Sequence, residues 1–311
     1  AVGGEWRRLS ADITSDPMSV ARAFRVGNTQ PFYGRVTVKE GFAEVLVPLA
    51  KDESWAKNID LNLAGRVTDY STSGTVETWK AGLNYAVNDS IRFRATRSRD
   101  IRSPNINELF QVGQTLILGV EDGGARYSTN AITGGNPSLK PEKADTFTAG
   151  VVFTPSFLPR LSISVDYYDI KIKGAIATLG PQTVVDRCSQ GQSDYCRFIV
   201  RGNDGRISSL VIAPVNFQQI VARGIDVEAA YRTPFLGGKL DLHALINYTA
   251  KLSIVGDDGQ SIRFAGNTDQ PLLDGVGGTP HWKVTSSATY STDDYRLSLT
   301  GRYIGGGVIS R

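Results

Sequence analysis

Two cysteines, two histidines and a few paired carboxylates are the residues of this 311-residue chain whose type and spacing suggest chemistry. Cys188 and Cys196 bound "CSQGQSDYC", a stretch of turn-forming residues. They fit a small surface disulfide made in an oxidising compartment, closing a loop that stabilises its own segment by roughly 2–3 kcal/mol. Metal binding is the alternative, but two thiolates make half a zinc site, and neither His243 nor His281 is near in sequence. Each histidine alternates onto a polar face, beside Asp241 or Lys283. Asp257–Asp258 and Asp293–Asp294 lie in "VGDDGQ" and "STDDYR", turn compositions that do not converge adjacent carboxylates as acid and base. The chain contains no phosphate-binding glycine loop, no H-E-x-x-H and no nucleophile elbow. Nothing in it argues for an enzyme, a metal or a cofactor.

The elements that carry these residues are strands. With 33 glycines, 13 prolines and 12 tyrosines the composition suits many strands joined by turns. The 34 basic residues nearly balance 31 acidic ones, for a net charge of +3, which gives no case for a nucleic-acid partner. No run of 18 apolar residues predicts a transmembrane helix, and no leader-like segment opens the chain. In "KLDLHALINYTAKL" (239–252) Leu240, Leu242, Ala244, Ile246, Tyr248, Ala250 and Leu252 share one face, a period of two that only a strand satisfies. The same alternation marks 44–50, 59–67, 79–87, 91–99, 147–153, 161–167, 224–232, 282–290 and 295–303, making ten candidate strands. It slips at Tyr167–Tyr168, which predicts a β-bulge there.

The links between strands follow a length rule. Short ones fall at 51–57, 71–74, 87–90, 154–160, 233–239 and 291–294, and long ones at about 100–142, 174–218 and 253–280. Long links gathered at one end of an antiparallel meander describe an outer-membrane β-barrel. Trp282 and Tyr290, then Tyr295 and Tyr303, sit eight residues apart on apolar faces, a rise of roughly 20 Å in a tilted strand, close to the apolar band between aromatic girdles. The opposite faces carry Arg66, Lys80, Arg92, Arg94, Asp226, Glu228, Arg232, Lys239, Asp241, Lys251, Lys283, Arg296 and Arg302, as a wet lumen would. Arg97 and Arg99 share the lipid-side parity of Phe93, so they mark the point where that strand leaves the membrane. A passive porin, or a surface β-protein such as an adhesin, remains an alternative on these grounds.

Three segments narrow the choice. "TRSRDIRSPNINELF" (96–110) places Arg102, Pro104, Glu108, Leu109 and Phe110 in an R-x-P-x-x-x-E-L-[FY] pattern. "GNPSLKPEKADTFTAGV" (135–151) has Asn136, Pro137, Leu139, Lys140, Pro141 and Glu142 in N-P-x-L-K-P-E. "VNFQQIVARGIDVEAAY" (215–231) sets Asn216, Gly224, Asp226 and Glu228 in N-x(7)-G-[IVF]-[DE]-x-E. Together these resemble TonB-dependent outer-membrane receptors. One departure is Thr148, where the family often has a glutamate two residues before the strand glycine, here Gly150. The resemblance implies an all-β, antiparallel transmembrane β-barrel of 22 strands, of which residues 1–311 supply about ten, with no plug domain or TonB box recognisable in the chain. It further implies a bacterial outer-membrane location, outer-membrane lipid around the wall, and a TonB complex reached through an N-terminal region. The expected cargo is a scarce large substrate (siderophore, vitamin or oligosaccharide) bound at the long loops. Tyr127, Asn130 and Asn136 are the candidate contacts in the first of them.

Overall fold

The computed structural model describes residues 1–25, 27–216, 219–255, 261–268 and 278–309. β1 (Val2–Ile13) leads through one helical turn, α1 (Pro17–Val20), into β2 (Phe32–Glu53), followed by β3 (Ala56–Tyr70), β4 (Gly74–Ala86) and β5 (Ile91–Arg102). A first insertion holds α2 (Ile106–Phe110), β6 (Gln114–Asp122) and β7 (Ala125–Thr133). β8 (Glu142–Phe153) and β9 (Leu161–Lys173) precede a second insertion, which comprises β10 (Ile176–Thr178), α3 (Pro181–Ser189), α4 (Ser193–Cys196), β11 (Ile199–Arg201), β12 (Ile207–Ile212) and β13 (Pro214–Asn216). The chain continues as β14 (Gln219–Phe235), β15 (Gly238–Val255), β16 (Ser261–Arg263), β17 (Trp282–Ser291) and β18 (Arg296–Ile304).

One sheet runs in the order β1-β2-β3-β4-β5-β8-β9-β14-β15-β17-β18, every neighbour antiparallel, with β16 added to the end of β15. Among the described residues β1 and β18 each have a partner on one side only, so the sheet does not close. Its short turns need little chain. Between β14 and β15, Leu236 and Gly237 both have positive φ (43° and 79°), the backbone of a two-residue type I′ hairpin. The outer face is apolar and open: Val45, Leu63, Leu83, Phe93, Val165 and Leu242 are all exposed, which a water-facing wall would not tolerate as a continuous band.

All ten expected strands are present, and three expectations need correction. First, β1 was not expected, because "VGGEWRRLSADI" has no apolar period. Second, Tyr167–Tyr168 pairs in unbroken register with both neighbours, so no bulge lies there. The bulge is opposite Arg223/Gly224, where Ala250 is the extra residue on β15. It reverses the parity beyond it: Lys251 pairs with outward Arg223, and Leu252 turns to the inner side with Ala222. Lys251 therefore leaves the lumen-facing set and Leu252 leaves the lipid-facing one. A second bulge, with Leu49 extra, interrupts β2 against β3.

Third, the long links are folded. β11, β12, β7 and β6 form a four-stranded sheet, with β12 and β7 parallel, and β10 pairs with β13. This small sheet and α3 enclose a core of Val120, Ala131, Val184, Val185, Ile207 and Leu210, against which Leu252, Ile254 and Ile220 pack from the inner side of the wall. A second core joins Leu109 and Leu139 to Val36 and Val38 of β2. Residues 256–260 and 269–277 of the third long link, including Asp257 and Asp258, lie outside the described residues.

Candidate functional site at the mouth of the barrel

The register brings a band of charge to one level of the inner wall. Arg94, Gly150, Asp166, Asp226, Asn247 and Lys283 stand side by side across β5, β8, β9, β14, β15 and β17. Asp166 crosses over β8 to grip Arg94 with two hydrogen bonds, Nε to Oδ1 at 2.7 Å and Nη2 to Oδ2 at 2.6 Å. Gly150 makes this possible, because a Cβ there would overlap the Asp166 carboxylate and close on the Val165 carbonyl at 2.8 Å. Within the band Asn247 donates to Asp226 at 2.6 Å, and nearer the short turns His243 Nε2 lies 2.9 Å from Glu228 Oε1. Nearer the long loops, Tyr168 lies across Gly224, whose absent side chain leaves room for the phenol. These pairs hold the wall's polar side chains in place while leaving them wet, as their exposure shows.

The family-motif residues converge at the rim. Arg102, at the end of β5, donates from Nη1 to both Glu108 oxygens (3.1 and 3.0 Å) and from Nη2 to Glu142 Oε1 at 2.7 Å. Glu108 and Asn105 form a reciprocal capping box that starts α2 (2.8 Å each way), and Pro104 stops β5 before it. Glu142 also accepts from the Ile176 amide at 2.6 Å, tying the second insertion to the same knot. Leu109 is buried under the segment, with Gly135 stacked so tightly on the Leu109 backbone that a Cβ would come within 2.7 Å. Asn136 donates to the Pro214 carbonyl (3.0 Å), Pro141 is buried, and Asn216 clasps the Lys140 backbone on both sides (2.9 Å each) while donating to Gly174 (2.7 Å). Pro137 and the Lys140 side chain stay exposed.

The loop module above this knot has its own polar frame. Tyr127 donates to Asp122 (3.1 Å), accepts from the Ile207 amide (2.9 Å) and carries Arg206 over its ring at 5.5 Å. Asp122 in turn receives two bonds from Arg201 (2.7 and 3.2 Å), which hold its carboxyl below the usual carboxylate range. Tyr127 thus braces the module, whereas Asn130 is exposed on the outer face of the small sheet, beside Ile117 and Ser209. Cys188 and Cys196 are joined by a disulfide that staples α3 to α4. His281 stacks on Tyr248 at 5.9 Å and sits at the base of the third long link. Between the knot and the β10–β13 ribbon lies a cleft in which Asn105, Asn107, Gln111, Thr133 and Thr178 stand beside Glu108 and the apolar Ile176, Ile212 and Pro214. Its lining comes from both insertions, so sequence spacing alone did not single it out. The arrangement offers hydrogen-bond donors and acceptors.

Comparison with known proteins fits this architecture. The family model described as TonB dependent receptor-like, beta-barrel matches residues 1–310. The chain belongs to that family. Its members are outer-membrane transporters and not enzymes, which places the exposed apolar wall in the bacterial outer membrane. Solved structures with the same fold include the ferric enterobactin receptor PfeA of Pseudomonas aeruginosa (G324V mutant), with a TM-score of 0.62, 18% identity, and 98% of this chain on 38% of that one. The siderophore receptor PirA of Acinetobacter baumannii follows at 0.59 and 14%, with 98% of this chain on 40% of PirA. The RagAB peptide transporter aligns at 0.56 and 15%, with 97% on 38%. This chain thus spans two fifths or less of each of these neighbours. A search of curated proteins finds no match.

Proposed function

We propose that this chain is the wall and mouth of an active importer, which captures a scarce, large, polar substrate at its extracellular loop module and releases it inward when a TonB complex supplies energy. The observation that carries the reading is the folded mouth. Two insertions, brought together by Arg102, Glu108 and Glu142, place a cleft of amides and hydroxyls, with Glu108 and the apolar Ile176 and Ile212 beside them, at the rim of a charged lumen. Such a cleft suits a ligand rich in hydrogen-bonding groups, of the siderophore, vitamin or oligosaccharide kind. Family-motif positions act here by positioning. Asn107, Gln111 and Thr178 are the contacts to test first, with Asn130 next and Tyr127 in a bracing role.

The test is uptake of radiolabelled ferric siderophores, cobalamin, oligosaccharides and peptides in a strain deleted for the full-length protein. Complementation by the wild type is expected to restore uptake of one class, and only in cells with working TonB. Asn107→Ala with Gln111→Ala is expected to raise the half-saturating concentration about tenfold or more, since each lost hydrogen bond contributes roughly 0.5–1.5 kcal/mol. Uptake that survives loss of TonB would instead make the protein a passive channel.

A further inference from the structure

The small sheet at the mouth has two edges of different character. β11 is three residues long and its register with β12 shifts between Val200 and Arg201, so it presents little that a further strand could join. β6, at the other edge, is nine residues long, contains no proline and carries no charge before Glu121. Gly123 and Gly124, both at positive φ (60° and 78°), make the two-residue turn into β7 and so fix which groups pair. Asp122 and Ala125 form the hydrogen-bonded pair next to the turn, and Val120, Leu118 and Leu116 repeat it. The N–H and C=O groups of Thr115, Ile117, Gly119 and Glu121 therefore point away from the sheet.

Glu121 has a partner. Gln182 of α3 lays its side-chain amide against that residue, accepting from the N–H at 2.8 Å and donating to the C=O at 2.9 Å, as the peptide group of a neighbouring strand would. Thr115, Ile117 and Gly119 are exposed and have no such partner among the described residues. A Cβ on Gly119 would meet nothing within 4 Å, so a second backbone has room to approach. Leu116, Leu118 and Val120 are committed to the module's core, which holds the strand in place while its edge is bare. The edge also starts beside the cleft, since Gln114 pairs with Thr133, which lines the cleft with Gln111.

We propose that the β6 edge, continued by the cleft, binds an extended peptide by strand addition through the main-chain groups of Thr115, Ile117 and Gly119. A donor and an acceptor recurring every two residues, about 6.8 Å apart, match another peptide backbone better than a glycan or a metal chelate. Three such residues span about 14 Å, the length of a five-residue strand. Alternate side chains of the peptide lie beside the exposed Ile117, which favours β-branched neighbours. The inference rests on the import reading in taking the peptide as cargo, and it names the class of that cargo.

The test titrates the full-length protein in detergent with the neutral peptide acetyl-Thr-Val-Thr-Val-Thr-amide, read by calorimetry and by hydrogen exchange. Saturable binding is expected, with the Thr115, Ile117 and Gly119 amides exchanging fast in the free protein and slowly in the complex. Ile117→Pro removes the central edge donor without touching the β6–β7 ladder and is expected to weaken binding about tenfold or more. Ile117→Thr keeps the donor and is expected to stay within about fivefold of the wild type. If the proline variant fails to fold, modified peptides carry the test on the wild type. N-methylation of the two valines leaves one peptide edge free and preserves binding, whereas N-methylation of the three central residues blocks both edges and abolishes it. No saturable binding, equal binding of the peptide blocked on both edges, or edge amides already protected in the free protein would overturn the proposal. Binding is read without TonB. Its failure beside TonB-dependent uptake of a non-peptide removes this inference and keeps the import reading; binding beside TonB-independent uptake does the reverse.

Discussion

Asp166 meets Arg94 across an intervening strand, and the residue that permits it is the one with no side chain. Any Cβ at Gly150 must displace either the carboxylate or the Val165 carbonyl behind it. Gly150→Ala is therefore expected to cost more than Asp166→Asn. The lost ion pair contributes about 1 kcal/mol because Arg94 is half exposed, whereas the backbone shift adds to that cost. The temperature at which the folded, fast-migrating gel band disappears would check the order; an alanine variant melting with the wild type would refute it. Asp122 supplies a second prediction at this scale. Its carboxyl is depressed by Arg201 first, and secondarily by the Tyr127 hydroxyl. A depressed folded-state pKa gives stability that is present above the ordinary carboxylate value and lost as pH falls through the lower folded value. Limited proteolysis of the loop module should accelerate at pH values below about 4, the ordinary carboxylate pKa, and Asp122→Asn should show that faster cleavage already at neutral pH.

At the scale of elements, α2 is too short to stand alone and exists because its ends and its one buried face are provided for. The capping box starts it, Arg102 neutralises its Glu108, and Leu109 fills the pocket beneath. Leu109→Ala is expected to cost about 2–5 kcal/mol and free the segment from β2, read as new protease cleavage near 106–112 with the barrel still inserted. The disulfide works similarly on α3 and α4. Reduction should loosen the second insertion by roughly 2–3 kcal/mol and leave the wall's heat-modifiable migration unchanged. Much of this level was legible in advance: alternation located ten strands, and R-x-P and N-P-x-L-K-P-E marked the knot. β1 was not, since its pairing partner β2 and not its own pattern makes it a strand. Nor was the small sheet, whose strands of three to nine residues pair across the two insertions, β12 with β7 in parallel; only β6 alternates, through Leu116, Leu118 and Val120, and Ile117 between them breaks its pattern in the sequence.

Over the whole molecule, each long strand serves two environments, and β15 shows how the change is made. Below Thr249 its even residues face lipid; above the bulge Leu252 and Ile254 face the loop module's core. A strand with strict alternation would carry one of these sets to the wrong side, because a one-residue slip exchanges the faces. The sequence displayed the apolar residues but not the reversal, since Ala250 fits the alternation as well as it fits a bulge. Deleting Ala250 removes the extra residue and leaves Thr249 opposite Gly224 and Lys251 opposite Arg223, so both sets keep their faces. Substituting Ala250 cannot do this, because any residue there preserves the two-against-one count. The deletion is therefore expected to leave a barrel that inserts and migrates normally, with Leu252 and Ile254 still packed under the mouth. Proteolysis within 176–212 should stay at the wild-type rate. A deletion that loosens the mouth or abolishes insertion would show that the added twist of the bulge, and not the parity it sets, is what the wall requires.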